Sequence, residues 1–111
     1  MTAIAIRVRK LASEMALTHD DVGRLVHASP RAVSRWTAGE TVPHKGTRKR
    51  LLDLGYVADQ LSRVMQPQDA NLWLFSRNPL LDGDTPAQRI ETGDVDAVIA
   101  LIEALADGVV V

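Results

Sequence analysis

Residues 18–43 have the sequence THDDVGRLVHASPRAVSRWTAGETVP, which predicts two short helices joined by a tight turn. Thr18 and Asp21 have the spacing of a capping box at the start of the first helix. Ser29 and the proline after it are typical of a second helix start, and Gly39 is typical of its end. This pattern indicates a helix-turn-helix, a motif that places its second helix in the major groove of DNA.

The second of these helices has two chemically different sides. At about 100° per residue, Val33 and Trp36 fall on one side, which we expect to pack inward. Arg31, Ser34 and Arg35 fall on the other side. A guanidinium can donate two parallel hydrogen bonds to guanine, so the two arginines are candidates for base contacts and Ser34 for a base or phosphate contact. The alternative is that these are solvated charges on a small helix.

A basic run, HKGTRKR, follows at residues 44–50 and leads into a long predicted helix. Cations at a helix N-terminus are unfavourable by about 0.3–1 kcal/mol each, and docked phosphates would reverse that effect. The alternative is that these charges only favour solubility. The predicted DNA-binding residues are Ser29, Arg31, Ser34, Arg35, Lys45, Arg48 and Lys49.

The formal net charge of −1 conceals a strong asymmetry between the two halves of the chain. Residues 1–50 contain ten Lys/Arg against four Asp/Glu, a net +6, while residues 51–111 contain three against ten, a net −7. Such an asymmetry is typical of a basic nucleic-acid-binding part joined to an acidic interaction part. The alternative is a fold in which these charges intermix in space.

The rest of the chain also has helical patterns. Apolar residues at steps of three and four predict helices over residues 4–15, 51–65 and 95–105. We expect Tyr56 to widen the buried stripe of the second of these helices, and Pro67 to end it. Thr85 and the glutamine at position 88 form a capping box, and Asp94 is placed to cap the last helix. No strand pattern is visible, so we predict an all-α fold with a helix-turn-helix region over 1–46, a connecting long helix over 47–66 and a small C-terminal helical region over 67–111.

Composition excludes several classes of site. The chain has no cysteine and only three histidines, which are dispersed, and it has no glycine-rich phosphate loop, so we expect no metal, cofactor or catalytic site. No apolar run approaches the roughly 20 residues of a membrane span, and the first residues lack the order of a signal peptide. We therefore expect a cytoplasmic protein without a membrane partner, which is not an enzyme.

Two groups of apolar residues could serve either the core or a partner. Trp36 is expected in the core because of its side of the helix. Trp73 and Phe75 flank a segment rich in helix breakers and could pack in the core or contact a partner. The β-branched residues Val109–Val111 follow the last predicted helix, and they could fold back or insert into a pocket of another protein.

Several of these motifs occur together in one known family. The helix-turn-helix, the block WLFSRNPLLDGDTP at residues 73–86, Gly93 and the apolar helix over 95–105 occur in this order. In this respect the chain resembles, over nearly its whole length, the Xre-type antitoxins of RES/Xre toxin–antitoxin pairs. Their toxin-binding part is the MbcA/ParS/Xre domain, and the chain is most similar to the MbcA-like branch. One departure is LDG at residues 81–83, where a Leu-Gly-Gly-like stretch is expected.

The resemblance implies an antitoxin that sterically inhibits a RES-domain toxin, which is an enzyme that destroys NAD⁺. It also implies that the antitoxin represses its own operon by binding double-stranded operator DNA. It also implies a homodimer within a hetero-oligomeric complex. By the same resemblance, residues 73–86 and the last helix belong to toxin binding and dimerisation, and the tail approaches the toxin's active-site cleft. The candidate toxin-binding residues are Trp73, Phe75, Asn78, Leu80, Leu81, Val109, Val110 and Val111.

Two other functions remain open from the sequence. The first is a stand-alone helix-turn-helix transcriptional regulator whose C-terminal region only dimerises. The second is a small hydrolase, although the histidines, serines and carboxylates have no spacing typical of a catalytic group. Removal of Val109–Val111 distinguishes the antitoxin from the regulator, because only the antitoxin would lose control of a toxin.

Overall fold

Seven α-helices and one short 3-10 helix make up the part of the chain that the computed structural model describes, residues 2–108. No strand occurs among these residues, which confirms the predicted all-α fold. Residues Val109–Val111 lie outside the described residues, and so does the prediction made for them. The helices are α1 (Ala3–Met15), α2 (His19–Val26), α3 (Pro30–Thr37), α4 (Lys45–Ser62), α5 (Pro67–Leu74), the 3-10 helix Pro79–Leu81, α6 (Pro86–Glu91) and α7 (Val95–Ala106).

The predicted caps define where several helices begin. The Thr18 hydroxyl accepts the Asp21 N–H at 3.0 Å, and the Asp21 carboxylate accepts the Thr18 N–H at 3.0 Å, which completes the capping box of α2. Ser29 caps α3, and Thr85 begins α6 with a second capping box. These short-range hydrogen bonds satisfy backbone donors that have no partner within the helix. Asp94 precedes α7 but makes no side-chain cap, contrary to the prediction.

All seven helices contribute to one cluster of buried side chains. The long helix α4 lies at its centre and packs against α1, α2, α5 and α7. Its buried side chains are fully enclosed, and each buried leucine contributes about 1.5–3 kcal/mol to stability. They are Leu51, Leu54, Val57, Ala58 and Leu61.

Two predictions about α4 are wrong. The Tyr56 side chain is 49% exposed rather than buried, because it follows Leu52 by four residues on the outward side of the helix, where Leu52 is 40% exposed. Pro67 does not end α4, which already ends at Ser62. It is instead the first residue of α5, a position where the missing N–H of proline has no helical partner to lose.

Long-range hydrogen bonds join the N-terminal helices to the C-terminal part of the described chain. Nε2 of His27, in the turn after α2, lies 2.7 Å from the carbonyl oxygen of Glu91 at the end of α6. The Arg50 guanidinium on α4 donates to the same oxygen at 3.5 Å. The Asn71 amide on α5 donates to the carbonyl oxygen of Met15 at 3.1 Å. The N-terminal helices are therefore fixed against the rest of the described residues.

Candidate functional site

The turn between α2 and α3 depends on close contact between two backbone segments. The Ala28 N–H donates to the carbonyl oxygen of Gly23 at 2.8 Å, and His27 adopts a left-handed conformation with φ of 63°. A Cβ atom at Gly23 would lie 2.5 Å from the carbonyl oxygen of Ala28. Only glycine therefore fits at this position. A role for Gly23 was not predicted from the sequence, although a glycine within a predicted helix is a recognised signal of close packing.

The outward face of α3 carries the predicted base-contacting residues. Arg31, Ser34 and Arg35 are exposed on the same helix whose opposite side buries Val33 and Trp36, which are 0% and 4% exposed. Nε of Arg35 lies 3.5 Å from Oε2 of Glu40, an exposed ion pair. The three side chains share one accessible helix face, which is the geometry that a helix needs for contact with base edges.

Ser29 has a local structural role in addition to its predicted DNA contact. Its hydroxyl oxygen accepts the N–H of Ala32 at 3.0 Å and so caps α3. Ser29 is exposed and immediately precedes α3, the helix that carries Arg31 and Arg35.

A second group of cations lies in the first turns of α4. Lys45, Arg48 and Lys49 are all exposed, and Nζ of Lys49 lies 3.0 Å from Oδ2 of Asp53. The helix begins after His44 without a side-chain cap, so its first N–H groups have no side-chain acceptor at the cap position. Cations beside exposed backbone donors at a helix N-terminus form an arrangement suited to a phosphate group.

The predicted toxin-binding aromatics are only partly accessible. Trp73 and Phe75 are partly buried and pack against the common core, and the buried Trp73 indole N–H has no hydrogen-bond partner within residues 2–108. Both side chains therefore help to hold the end of α5 and the residues after it against the core. Leu72, which sequence analysis did not select, is 68% exposed on α5. Its exposure follows from the packing of α5, which no local sequence signal specifies.

The residues of the following turn divide into buried and exposed positions. Asn78 is 6% exposed and Leu81 is 2% exposed, whereas Leu80 between them is 61% exposed. The Asn78 side-chain oxygen accepts the Leu80 N–H at 3.0 Å, and its backbone oxygen accepts the N–H of Gly83 at 3.1 Å. Asn78 and Leu81 are therefore buried beneath the turn and stabilise it, and Leu80 is the only one of these three residues that a partner could contact.

Arg89 on α6 joins this turn to the start of α7. Its Nε donates to Oδ2 of Asp84 at 2.9 Å, its Nη1 to Oδ2 of Asp94 at 3.0 Å, and its Nη2 to the carbonyl oxygen of Leu81 at 2.9 Å. The hydrogen bond to Asp84 is the main cause that raises the pKa of Arg89 above its ordinary value. The Asp94 carboxylate therefore binds a side chain instead of capping α7.

Two kinds of site are not found within the described residues. No group of three or more histidine or acidic side chains is arranged to hold a metal ion within residues 2–108. No helix over the same range is long and apolar enough to cross a membrane.

Comparison with known proteins gives full-length relatives. The chain is 43% identical over 111 residues to the mycobacterial cidal antitoxin MbcA of Mycobacterium bovis and of Mycobacterium tuberculosis, covering 100% of the chain and 98% of each relative. It is 30% identical over 92 residues to a probable mycobacterial cidal antitoxin of M. tuberculosis, covering 83% of the chain and 78% of that protein. These relatives are named as antitoxins and not as enzymes. No protein-family model matches the chain.

A solved structure has the same fold. One chain of the crystal structure of the M. tuberculosis MbcT–MbcA toxin–antitoxin complex matches with a TM-score of 0.88 and 43% sequence identity. The match covers 100% of both chains. The arrangement of helices described above is therefore shared over the full length with a component of that complex.

Proposed function

Because the chain belongs to the family of the mycobacterial cidal antitoxin MbcA, we propose that it is an antitoxin that binds and sterically inhibits a RES-domain, NAD⁺-degrading toxin. The observation that carries this proposal is the full-length match, at 43% identity, to a chain of a toxin–antitoxin complex. The RES class of the toxin and its reaction rest on the resemblance of residues 73–86 to the toxin-binding domain of such antitoxins. The protein itself has no catalytic role in this proposal.

The most exposed apolar side chains of the proposed toxin-binding surface within residues 2–108 are Leu72 and Leu80. The buried residues Asn78 and Leu81 lie in the same turn as Leu80. Exposed leucines at 68% and 61% are large apolar groups that association with a partner would remove from water. The C-terminal half has a net charge of −7, which would complement a basic, nucleotide-binding toxin surface. Trp73 and Phe75 would then act mainly by holding α5 in place.

Val109–Val111 supply the steric part of the proposal. By the family resemblance these residues approach the toxin's active-site cleft, where three apolar side chains would exclude the substrate. Two alternatives were open for this tail, and its removal distinguishes them. If the tail inserts into the toxin, its removal should abolish inhibition, whereas if it folds back onto the domain, its removal should leave inhibition unchanged.

The first experiment isolates the tagged chain from its native host and assays the co-purified proteins for NAD⁺ consumption after separation. We expect a second chain that degrades NAD⁺ alone and is inactive in the complex. A chain that purifies without such an enzyme under the same conditions would contradict the proposal.

The second experiment removes Val109–Val111 and measures growth when the variant and the co-purified toxin are expressed together. We expect the toxin to escape inhibition, while the affinity of the variant for DNA stays unchanged. Replacement of Ser13, an exposed residue on α1, by alanine is a control and should leave inhibition intact. A truncated chain that still protects the cells would contradict steric inhibition by the tail.

Repression of its own operon is the second part of the proposal. It is supported by Arg31, Ser34 and Arg35 on the outward face of α3, and by the exposed cations of α4. Binding of DNA from upstream of its own coding region should weaken as salt rises. When the logarithm of the binding constant is plotted against the logarithm of the salt concentration, we expect a slope of about −0.9 for each phosphate neutralised. Specific DNA binding without any toxin partner would instead support the stand-alone transcriptional regulator.

Self-association completes the proposal, as a homodimer within a hetero-oligomeric complex. It is supported by Leu52 and Tyr56, two exposed apolar side chains that lie four residues apart on the outward side of α4. Measurement of molar mass by light scattering across a range of concentrations is the test, and a monomer at every concentration would contradict it.

A further inference from the structure

The guanidinium of Arg89 is enclosed by the groups it binds. Its side chain is 21% exposed, whereas Asp84 and Asp94 are 51% and 47% exposed, so the cation lies deeper than its partners. In a third ion pair, Oδ2 of the fully exposed Asp82 lies 3.8 Å from Nη2 of Arg89. A planar guanidinium has five donors in a fixed fork and can reach several acceptors at once, which a lysine ammonium cannot reproduce.

The turn that Arg89 holds has an unfavourable backbone conformation. Asp82 and Gly83 both have positive φ values, 56° and 86°, and for the aspartate this left-handed region is strained. Such a conformation persists only where its surroundings over-determine it. The turn is closed by the Asn78 N–H, which donates to the carbonyl oxygen of Asp84 at 3.0 Å. The Leu81 carbonyl oxygen accepts from both the Asp84 N–H and Arg89.

The consequence of this arrangement lies at the surface of the turn. Leu81 is turned inward at 2% exposure while Leu80 beside it is turned outward at 61%. Two of the contacts of Arg89 lie on the C-terminal side of Leu80, at the Leu81 carbonyl oxygen and at the Asp84 carboxylate. A change in the backbone at Asp82 would alter which of the two leucines faces a partner.

We propose that Arg89 is a positioning residue that pre-organises the turn over residues 78–84 so that Leu80 is presented to the toxin. This inference rests on the proposed antitoxin function and assigns to Arg89 no direct contact with the toxin. The physical reason is that a turn already ordered loses less conformational entropy on binding. If only a fraction of the molecules has the competent turn, the apparent affinity falls by that fraction.

The test compares four variants with the unaltered chain, using as probe the NAD⁺-degrading protein co-purified from the native host. Arg89→Gln and Arg89→Lys alter the hub, and Leu80→Ser alters the presented side chain. Arg24→Gln is the matched control, because Arg24 is an exposed helical arginine whose guanidinium lies 3.9 Å from Asp20. The two measurements are the Kd for the toxin and the hydrogen-exchange rates of the Leu81, Gly83 and Asp84 amides.

We expect both Arg89 variants to raise the Kd roughly tenfold or more and to speed exchange at the three amides. Leu80→Ser should raise the Kd without faster exchange, and Arg24→Gln should change neither. Thermal unfolding of each variant shows whether it is folded. If Arg89→Gln does not fold, Asp94→Ala replaces it, because it removes one side-chain acceptor of Arg89 and should give a smaller change in the same direction.

The outcomes separate this inference from the proposed function. If Arg89→Gln speeds amide exchange but binds the toxin as tightly as the unaltered chain, pre-organisation by Arg89 is wrong. Full recovery of both measurements in Arg89→Lys would also overturn it, since charge alone would then suffice. If Leu80→Ser weakens binding and Arg89→Gln does not, this inference fails while the antitoxin function stands. If no toxin is recovered or bound, the proposed function fails and the inference fails with it.

Discussion

Arg31 and Arg35 share the outward face of α3 but differ in their surroundings. Nε of Arg35 lies 3.5 Å from Oε2 of Glu40, and both side chains are more than half exposed. Exposed ion pairs of this kind contribute about 0–1 kcal/mol, which is less than the energy of a good contact to a base. Separation of Arg35 from Glu40 would therefore cost little free energy in the proposed contact with DNA.

Replacement of Arg31 or Arg35 by alanine tests this assignment. We expect each substitution to weaken specific operator binding by about 1–3 kcal/mol for each base that the side chain no longer reaches, because a bidentate hydrogen-bonded pair with guanine disappears. Fluorescence anisotropy with specific and scrambled DNA measures the difference. Arg63→Ala, an exposed arginine just after α4, is the control and should have no specific effect. Equal weakening by Arg63→Ala and by the α3 substitutions would show that only total charge matters.

A second residue-scale feature is the ion pair between α1 and α4. Nζ of Lys10 lies 3.0 Å from Oδ1 of Asp59. The hydrogen bond and the charge of Asp59 raise the pKa of Lys10, and the hydrogen bond from Lys10 lowers the pKa of Asp59. The pair therefore contributes in full from about pH 4 to about pH 10. The contribution is lost as pH falls through the lowered pKa of Asp59, or rises through the raised pKa of Lys10.

We expect a double-mutant cycle of Lys10→Gln and Asp59→Asn to give a small favourable coupling free energy at pH 7. The coupling should shrink with added salt, because both side chains are exposed, and vanish once Asp59 is protonated. Urea unfolding of the four proteins at several pH values measures it. A coupling that stays constant below the pKa of Asp59 would contradict the assignment of the ion pair.

At the scale of elements, Gly23 allows α2 to lie close to the backbone that leads into α3. Gly23→Ala should lower the free energy of unfolding by about 1–3 kcal/mol, since its Cβ would collide with a backbone oxygen that cannot move independently. DNA affinity should fall as well, because α3 would be displaced. Chemical unfolding and DNA titration are the measurements.

Gly55→Ala is the matched control for this substitution. Gly55 lies within α4, and a Cβ there would meet nothing within 4 Å. We expect an increase in stability of about 0.5–1 kcal/mol, the usual gain from replacing a helical glycine with alanine. If both alanine variants changed stability in the same direction, the steric explanation for Gly23 would be wrong.

The starts of α2, α3 and α6 could be read from the sequence because a cap involves residues only three positions apart. The end of α4 at Ser62 could not, since the apolar stripe continues to Met65 without a breaker before Pro67. Where a helix ends without a strong local signal, the packing of its neighbours decides its length.

At the scale of the whole molecule, one buried cluster joins all seven helices of the described residues. We therefore expect a single cooperative unfolding transition. Trp36 in α3 and Trp73 in α5 report on different helices of the core, so Trp36→Phe and Trp73→Phe each leave one probe. Both fluorescence transitions should coincide with the loss of far-ultraviolet circular dichroism. Separate midpoints would mean that α3 and α5 unfold independently of each other.

The sequence alone determined the features that depend on near neighbours along the chain. The caps at Thr18, Ser29 and Thr85, the inward Val33 and Trp36, and the outward Arg31 and Arg35 follow from hydrogen bonds three residues apart and from helical periodicity. Most of the proposed toxin-binding surface could be located only as a segment, because its motif gives order along the chain and no burial.

The tertiary structure decided how that segment is used. It buries Leu81 and exposes Leu80, and it leaves Leu72 and Tyr56 accessible. The Asp94 carboxylate accepts a hydrogen bond from Arg89 and does not cap α7. The tertiary structure also joins His27 to Glu91 across 64 positions of sequence. These outcomes depend on which distant helix covers each side chain, and this follows from how all the helices fill one core together.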